Sequence, residues 1–231
     1  LTCRFPRGRI SVILGGSGAG KSTLLRLIGG LVRPQRGAVI VAGVEVSRIP
    51  ERELFPVRQR LGMLFQHGAL LDSMSVFDNV ALPLREHTEL GAGDVASEVE
   101  RRLVAVGLPG TGAMFPRELS GGMLRRAALA RAIVTDPEIV LCDEPFSGLD
   151  PINVRRIEKL FTTLNRQLSL TLLITSHHIP SSLRMADQIV FLLDGSAIAG
   201  APKELRGHAD ERVSGFFAAE LDADAEAQDD A

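Results

Sequence analysis

The chain has 231 residues, a formal net charge of −2 and neither Trp nor Tyr. Its length suits one large α/β domain or at most two small ones, and the near-neutral charge without those two base-stacking residues argues against nucleic-acid binding. No stretch approaches the roughly 20 consecutive apolar residues of a membrane-spanning helix, so any membrane role is expected to be peripheral.

The amino-terminal part of the chain alternates strand-like and helical patterns. A short apolar run, Ile10–Leu14, predicts a strand that ends in glycines, and a helical pattern follows over Lys21–Ile28. Two more apolar runs, Ala38–Ala42 and Leu61–Phe65, also predict strands.

The pattern changes between Asp72 and Thr135, where helical periodicity dominates. Four apolar residues of the segment Asp94–Val106 fall on one helical face, namely Val95, Val99, Leu103 and Val106. We therefore predict an inserted helical subdomain over about residues 72–135, which ends in a helix over Met123–Val134.

Strands and helices alternate again in the rest of the chain. The predicted order is strand, helix, strand, helix, strand, over Ile139–Cys142, Pro151–Gln167, Leu170–Thr175, Pro180–Met185 and Gln188–Leu193. Such alternation favours a parallel sheet with helical crossovers. Residues 218–231 are acidic and rich in Ala, which predicts a disordered tail.

A glycine-rich loop lies between the first strand and the first helix. It matches G-x-x-x-x-G-K-S in the strand–loop–helix context that phosphate binding requires. Glycines let backbone N–H groups approach a phosphate, and the helix N-terminus adds a positive dipole. Lys21 is expected to reach the β- and γ-phosphates of ATP and Ser22 to ligate Mg²⁺. The predicted ATP-binding residues are Gly15, Gly16, Ser17, Gly18, Ala19, Gly20, Lys21, Ser22 and Thr23.

Two carboxylates, Asp143 and Glu144, follow the apolar run Ile139–Cys142. Such a pair alone usually marks a solvated strand end. Beside a phosphate loop, we expect Asp143 to hold the Mg²⁺ ion and Glu144 to act as general base for the attacking water. The combination predicts ATP hydrolysis.

Single polar residues follow two other predicted strands. Gln66 comes directly after Phe65, and taken alone such a residue is normally an exposed loop residue. His177 follows the strand that ends at Thr175, from where it could bond a γ-phosphate. His178 is the alternative, because adjacent side chains leaving a strand diverge and only one can face the nucleotide. We expect His177 to do so.

A second anion site is predicted at Ser120, Gly121 and Gly122, just before a helix. Ser is a good N-cap, and two glycines let a ligand approach the helix N-terminus. One chain has no evident need for two phosphate sites so far apart in sequence. We therefore expect this one to serve the nucleotide of a partner subunit, with the segment Ser147–Asp150 linking the two sites.

Together these segments resemble the nucleotide-binding subunit of ATP-binding-cassette (ABC) transporters, over nearly all of residues 1–217. The family motifs fall at Lys21 (Walker A), Gln66 (Q-loop), Leu119–Met123 (signature), Asp143 and Glu144 (Walker B), Asp150 (D-loop) and His177 (switch histidine). The resemblance implies one P-loop NTPase domain of the α/β class, with a RecA-like core, an antiparallel β-subdomain and the inserted helical subdomain. It also implies a head-to-tail homodimer that sandwiches two ATP molecules, with Gln66 as a further catalytic residue and Mg²⁺ ligand.

A narrower resemblance, to the ATPases of Mla and Mce lipid transport, rests on Phe65–Leu71, Val76–Thr88, Leu119–Met123, Arg125–Ala132 and Asp143–Phe146. It implies phospholipid transport between membranes, with permease subunits and an MCE-type lipid-binding protein, on the cytoplasmic face of the inner membrane. Three departures from the family pattern limit which residue roles the resemblance implies. Met123 replaces the signature Gln, His178 stands where many relatives have Asp, and the N-terminal strands with the adenine-stacking aromatic residue are expected upstream of Leu1.

Other functions stay open at this point. Another ABC importer or exporter would keep every motif and change only the transported substrate. A soluble ABC ATPase acting on ribosomes or DNA is disfavoured, because the chain has a single cassette without a long coiled-coil insertion. A P-loop kinase or GTPase needs no signature loop, and a GTPase needs an Asn-Lys-x-Asp base reader that this sequence lacks.

Overall fold

The computed structural model describes residues 1–218, and a six-stranded sheet forms their centre. The strands among these residues are β1 (Ile10–Gly15), β2 (Ile40–Val41), β3 (Val44–Glu45), β4 (Leu61–Leu64), β5 (Ile139–Asp143), β6 (Thr171–Thr175), β7 (Gln188–Leu193) and β8 (Ser196–Gly200). The central sheet has the order β4-β5-β6-β1-β7-β8, and β2 and β3 form a separate antiparallel hairpin.

Five neighbouring strands of the central sheet are parallel, and only the edge strand β8 runs antiparallel. Asp143 at the end of β5 is level with Thr175 at the end of β6, which is level with Ile13 of β1. The carboxyl ends of these strands therefore meet at one edge of the sheet, the usual place for a ligand in such folds.

Helices cover both faces of the sheet. They are α1 (Lys21–Ile28), α2 (Glu51–Arg58), α3 (Val76–His87), α4 (Ala92–Ala105), α5 (Gly121–Ile133), α6 (Pro151–Leu168), α7 (Ile179–Met185), α8 (Pro202–Arg206) and α9 (residues 211–218), with a 3-10 turn at Pro116–Glu118. Side chains of β1 alternate between two apolar clusters, because Val12 and Leu14 face one cluster and Ile13 the other. Within residues 1–218 no helix has the length and apolar character needed to cross a bilayer.

The segment between β4 and β5 is helical, and α3, α4 and α5 pack against one another. The four apolar residues expected on one helical face are all buried, namely Val95, Val99 and Leu103 of α4 and Val106, which follows it. The helix starting after Ser120 begins at Gly121 rather than Met123, because the Ser120 side chain caps it by accepting a hydrogen bond from the Met123 N–H at 3.3 Å.

Sequence patterns missed five elements: α2, β3, β8, α8 and α9. The helix α2 is short and contains Pro56, which is a helix breaker in sequence terms. The strand β8 is built largely of small residues and carries little hydrophobic alternation. The predicted disordered tail, residues 218–231, falls outside the described residues except for residue 218, which belongs to α9.

Candidate active site

One cavity of about 660 Å³ lies at the carboxyl edge of the sheet. It brings together side chains that follow β1, β4, β5 and β6. Of the predicted site residues, those lining it are Ser17, Gly18, Ala19, Gly20, Lys21, Ser22, Thr23, Gln66, Glu144 and His177. Residues far apart in sequence therefore share one space, because the parallel strands deliver them to the same edge.

The glycine-rich loop is shaped by backbone constraints at both ends. Gly15 has φ 148°, and a Cβ there would lie 2.7 Å from the carbonyl oxygen of Leu192, so no other residue fits. Gly20, the N-cap residue just before α1, has φ 96°, a conformation that favours glycine. The loop residues from Ser17 onward and the first residues of α1 line the cavity.

Lys21 is buried and folded over this loop. Its Nζ donates to the carbonyl oxygens of Gly15 at 2.9 Å and Gly16 at 3.2 Å. Burial lowers the pKa of Lys21, and the nearby carboxylates of Glu144 and Asp143 oppose that shift. A bound phosphate would replace the two carbonyl oxygens as partner of the ammonium group.

Asp143 is held by two hydroxyl groups. Its Oδ1 accepts hydrogen bonds from Ser22 Oγ at 2.9 Å and Thr175 Oγ1 at 2.7 Å. The Thr175 Oγ1 also accepts a bond from the backbone N–H of Glu144 at 3.0 Å. Thr175 therefore positions both carboxylate residues. Sequence reasoning missed it, although a hydroxyl at the last position of a strand before His177 was a usable signal.

Glu144 sits in a strained and poorly solvated position. Its φ of 47° is unusual for a residue with a side chain. Its Oε1 is buried and has no hydrogen-bond partner within residues 1–218, whereas Oε2 accepts the backbone N–H of His177 at 3.1 Å. Burial raises the pKa of Glu144, and the charges of His177 and Lys21 work against that shift. A carboxylate with a raised pKa and a free oxygen suits a proton acceptor.

His177 and His178 make different contacts. His177 Nε2 lies 3.0 Å from Lys21 Nζ and 3.5 Å from Glu144 Oε1. Because an ammonium only donates, His177 Nε2 accepts the bond from Lys21 when its ring is neutral, and only the protonated ring opposes the raised pKa of Glu144. His178 also borders the cavity, but its Nδ1 accepts the backbone N–H of Ser181 at 3.1 Å and so caps α7.

The predicted second anion site does not line this cavity. Ser120 and Gly121 are exposed at the start of α5, whereas Gly122 is buried. A Cβ on Gly122 would lie 2.7 Å from Oδ1 of Asn153, so a larger residue here would have to displace the Asn153 side chain of α6 in the same chain. Asp150 lies at the N-terminus of α6, where its Oδ1 accepts the Asn153 N–H at 2.9 Å.

Known proteins are similar to this chain in sequence and in fold. Residues 1–147 match the ABC transporter family. The chain belongs to the ABC transporter family. It is 46% identical over 96% of its length to the intermembrane phospholipid transport system ATP-binding protein MlaF of Haemophilus influenzae, covering 84% of that protein. It is 48% identical over 94% of its length to MlaF of Escherichia coli, covering 81% of that protein.

The fold agrees with a solved ATP-binding cassette, a dimer described as a post-hydrolysis state bound to ADP and Pi. The TM-score is 0.79 at 28% identity, with 87% of this chain and 88% of the other covered. These comparisons confirm the predicted family and the P-loop α/β fold. As an ABC cassette, the chain is an ATPase that binds ATP.

Proposed function

We propose that this cassette hydrolyses ATP to drive phospholipid transport between membranes, as part of a complex with permease subunits. The observation that carries the ATPase role is the single cavity shared by the glycine-rich loop, Gln66, Glu144 and His177. The transported class follows from the names of the MlaF relatives, to which the chain is 46–48% identical.

In the proposed mechanism, the loop residues 15–23 and the N-terminus of α1 bind the phosphates, with Lys21 on the β- and γ-phosphoryl oxygens. Glu144 accepts a proton from the attacking water through Oε1, which makes no hydrogen bond within residues 1–218. His177, in the form that carries a proton on Nε2, would donate to the γ-phosphate instead of accepting from Lys21, and Gln66 would contact the nucleotide from its place in the same cavity.

The donor set beside the loop fits Mg²⁺. Ser22 Oγ and Asp143 Oδ1 lie 2.9 Å apart, and Mg²⁺ prefers carboxylate, hydroxyl and phosphate oxygens. Gln66 lines the ATP cavity, and its side-chain oxygen would be a third ligand. We assign these three residues as its ligands. When bound, the ion would neutralise charge that develops on the phosphate oxygens.

The proposed working unit is a head-to-tail homodimer. Ser120, Gly121 and Gly122 lie outside the chain's own cavity, and Ser120 and Gly121 are exposed. They would present the N-terminus of α5 to the γ-phosphate of the ATP held by the partner. Asp150 would contact the partner beside them. Residues 1–217 would form one domain, with residues 72–135 as the helical subdomain.

A second cavity of about 740 Å³ is the candidate contact with a permease. It lies between α2 and α3, and apolar side chains line it, including Phe55, Phe65 and Leu82. Phe55 and Phe65 are 48% and 39% exposed, which is costly unless a partner covers them. Phe65 precedes Gln66, so an occupant of this cavity would press on the segment that enters the ATP cavity.

Transport itself is tested by reconstitution. The complex of this cassette with its cognate permease and MCE-type protein, placed in liposomes, should move a fluorescent phospholipid only when ATP is supplied. The same complex with Glu144→Gln should bind ATP and move none. ATP-driven movement of a non-lipid substrate with no effect of phospholipid on the ATPase rate would reject the lipid assignment.

The permease contact is tested separately with Phe55→Asp. This exposed substitution should abolish co-purification with the permease and leave the ATPase rate of the isolated cassette within about twofold of the wild type. Val104→Asp is the matched control, because Val104 is 55% exposed on α4 and lies outside the second cavity. Equal permease binding by both variants would place the contact elsewhere. Binding of the cassette to its permease would place it on the cytoplasmic face of the inner membrane.

A further inference from the structure

Arg125 is a buried arginine that lies behind Ser147, a residue of the ATP cavity wall. It lies on α5, three residues beyond Gly122, and only 6% of its surface is exposed. Its Nη2 donates to the backbone carbonyl oxygen of Ser147 at 3.1 Å, and its Nη1 has no hydrogen-bond partner within residues 1–218. No carboxylate lies within ion-pair distance of it among the described residues.

Burying Arg125 in this way costs folding free energy. A buried guanidinium without an ionic partner loses most of its hydration energy, and an apolar side chain of similar volume often stabilises a protein more. The single bond to Ser147 is therefore the specific contact that this arginine makes. It ties α5 to the segment Ser147–Asp150.

Two further residues at the start of α5 lie close to this region, Gly121 beside Leu149 and Gly122 beside Asn153 of α6. A Cβ on Gly121 would touch Leu149 at 3.7 Å, and Gly122 lies directly against Asn153, which in turn is bonded to Asp150. Ser147 and Leu149 also line the chain's own ATP cavity. The start of α5 and a wall of the ATP cavity are thus in contact through a few residues.

We propose that Arg125 is a positioning residue that makes the signature loop and the Ser147–Asp150 segment move as one body. The inference rests on the proposed head-to-tail dimer. Nucleotide entering a chain's own cavity would displace Ser147–Leu149, and Arg125 would carry that displacement to Ser120–Gly122, which contact the ATP of the partner. Arg125 touches neither nucleotide itself.

The test uses Arg125→Met in the Glu144→Gln protein, whose ATP-driven dimer does not turn over. Met fills the same space without a donor. We expect the ATP concentration for half-maximal dimerisation to rise about tenfold, since one charge-assisted hydrogen bond is worth about a factor of ten or more. Affinity of the monomer for a fluorescent ATP analogue should stay within about twofold. Arg125→Lys, which can still donate to Ser147, should recover most of the loss.

Hydrogen exchange of the nucleotide-free monomer supplies a second readout. In Arg125→Met, amides in residues 120–124 and 147–150 should both exchange faster, while those of β1 and β7 do not change. Arg102→Lys is the control for general loosening, because Arg102 is a buried α4 arginine bonded to Glu98 and touches neither segment. It should lower the melting temperature without shifting dimerisation.

The outcomes separate the two ideas. If Glu144→Gln does not dimerise with ATP, the shared-site function fails before Arg125 is changed. If it dimerises and Arg125→Met shifts the midpoint no more than Arg102→Lys, the inference is overturned and the function stands. Unchanged exchange in both segments, or equal loss of monomer ATP affinity, also overturns it.

Discussion

At the level of single residues, Glu144 combines features that oppose stability. Its backbone has a positive φ, its buried Oε1 accepts no hydrogen bond within residues 1–218, and burial raises its pKa. Each feature costs free energy in the nucleotide-free protein. A residue of this kind persists where its chemistry is needed, which is the usual conflict between stability and activity at active sites.

Glu144→Gln should therefore slow ATP hydrolysis by about 10²–10⁴-fold while the protein still binds ATP. Turnover at saturating ATP measures the first effect, and a dimer retained on a sizing column with ATP measures the second. Near wild-type turnover would remove Glu144 from the role of general base.

The same variant should gain stability at neutral pH. The folded protein holds the Glu144 proton more tightly than the unfolded chain does, so wild-type stability falls as pH rises from 4.5, the ordinary carboxyl value, through the raised pKa. Glutamine mimics the protonated form and does not titrate. In urea unfolding without nucleotide, the difference between the two proteins should be present at pH 7 and vanish below the ordinary carboxyl pKa. A Glu144→Gln protein that is less stable at pH 7 would contradict this.

His177 and His178 should respond differently to substitution. His177→Ala removes the ring next to Lys21 and Glu144, and it should reduce hydrolysis while leaving ATP affinity intact. His178→Ala should instead cost about 1 kcal/mol of unfolding free energy, because α7 loses its cap. His178→Asn, with a neutral capping side chain, should restore that stability. Equal losses of ATPase activity from the two alanine variants would reject the assignment of roles.

At the level of secondary-structure elements, the contact between α5 and α6 depends on one missing side chain. Gly122 allows Asn153 to lie against the start of α5, and Asn153 Nδ2 donates to Asp150 Oδ2. Glycine at this position is thus explained within one chain, without any reference to a phosphate.

Gly122→Ala should therefore destabilise the isolated monomer by about 1–3 kcal/mol, the usual cost of overpacking. Adding Asn153→Ala removes the atoms that collide, so the double variant should regain part of the loss. Urea unfolding of the two single variants and the double variant gives the coupling. Additive losses would show that the two residues do not meet as described.

At the level of the whole molecule, the proposed dimer predicts complementation between two defective subunits. Lys21→Ala weakens phosphate binding in a subunit's own cavity. Gly121→Asp places a charge where the partner's phosphate would lie, and the exposed, uncrowded surroundings of Gly121 should tolerate it in the monomer. In a mixed head-to-tail dimer one composite site is free of both changes.

Cross-linking with ATP should therefore detect pairs in the mixture and none in either variant alone. Gly121→Asp should also bind ATP as a monomer with near wild-type affinity, which equilibrium fluorescence of an ATP analogue can measure. Loss of monomer binding would mean that Gly121 belongs to its own chain's site, and the shared-site arrangement would then be wrong.

Much of this protein could be predicted from local sequence. The strand β7 and the helix α1 have the predicted bounds, and β1, β5 and β6 agree within a residue or two. Buried parallel strands are continuous apolar runs, and α1 follows a loop whose glycines are needed for its geometry. The resemblance to ABC cassettes rested on short motifs next to these strands and helices. Phosphate binding dictates the residue types in those motifs.

Contacts between distant segments needed the tertiary structure. The bonds from Thr175 to Asp143 and Glu144, the cap formed by His178, the contact of Gly122 with Asn153 and the bond from Arg125 to Ser147 each join residues that no local pattern relates. Local periodicity reports which face of an element is buried, whereas the partner across that face depends on how the strands are ordered in the sheet. The sequence alone therefore determined the phosphate-binding chemistry, and only the fold decided which side chains hold it in place.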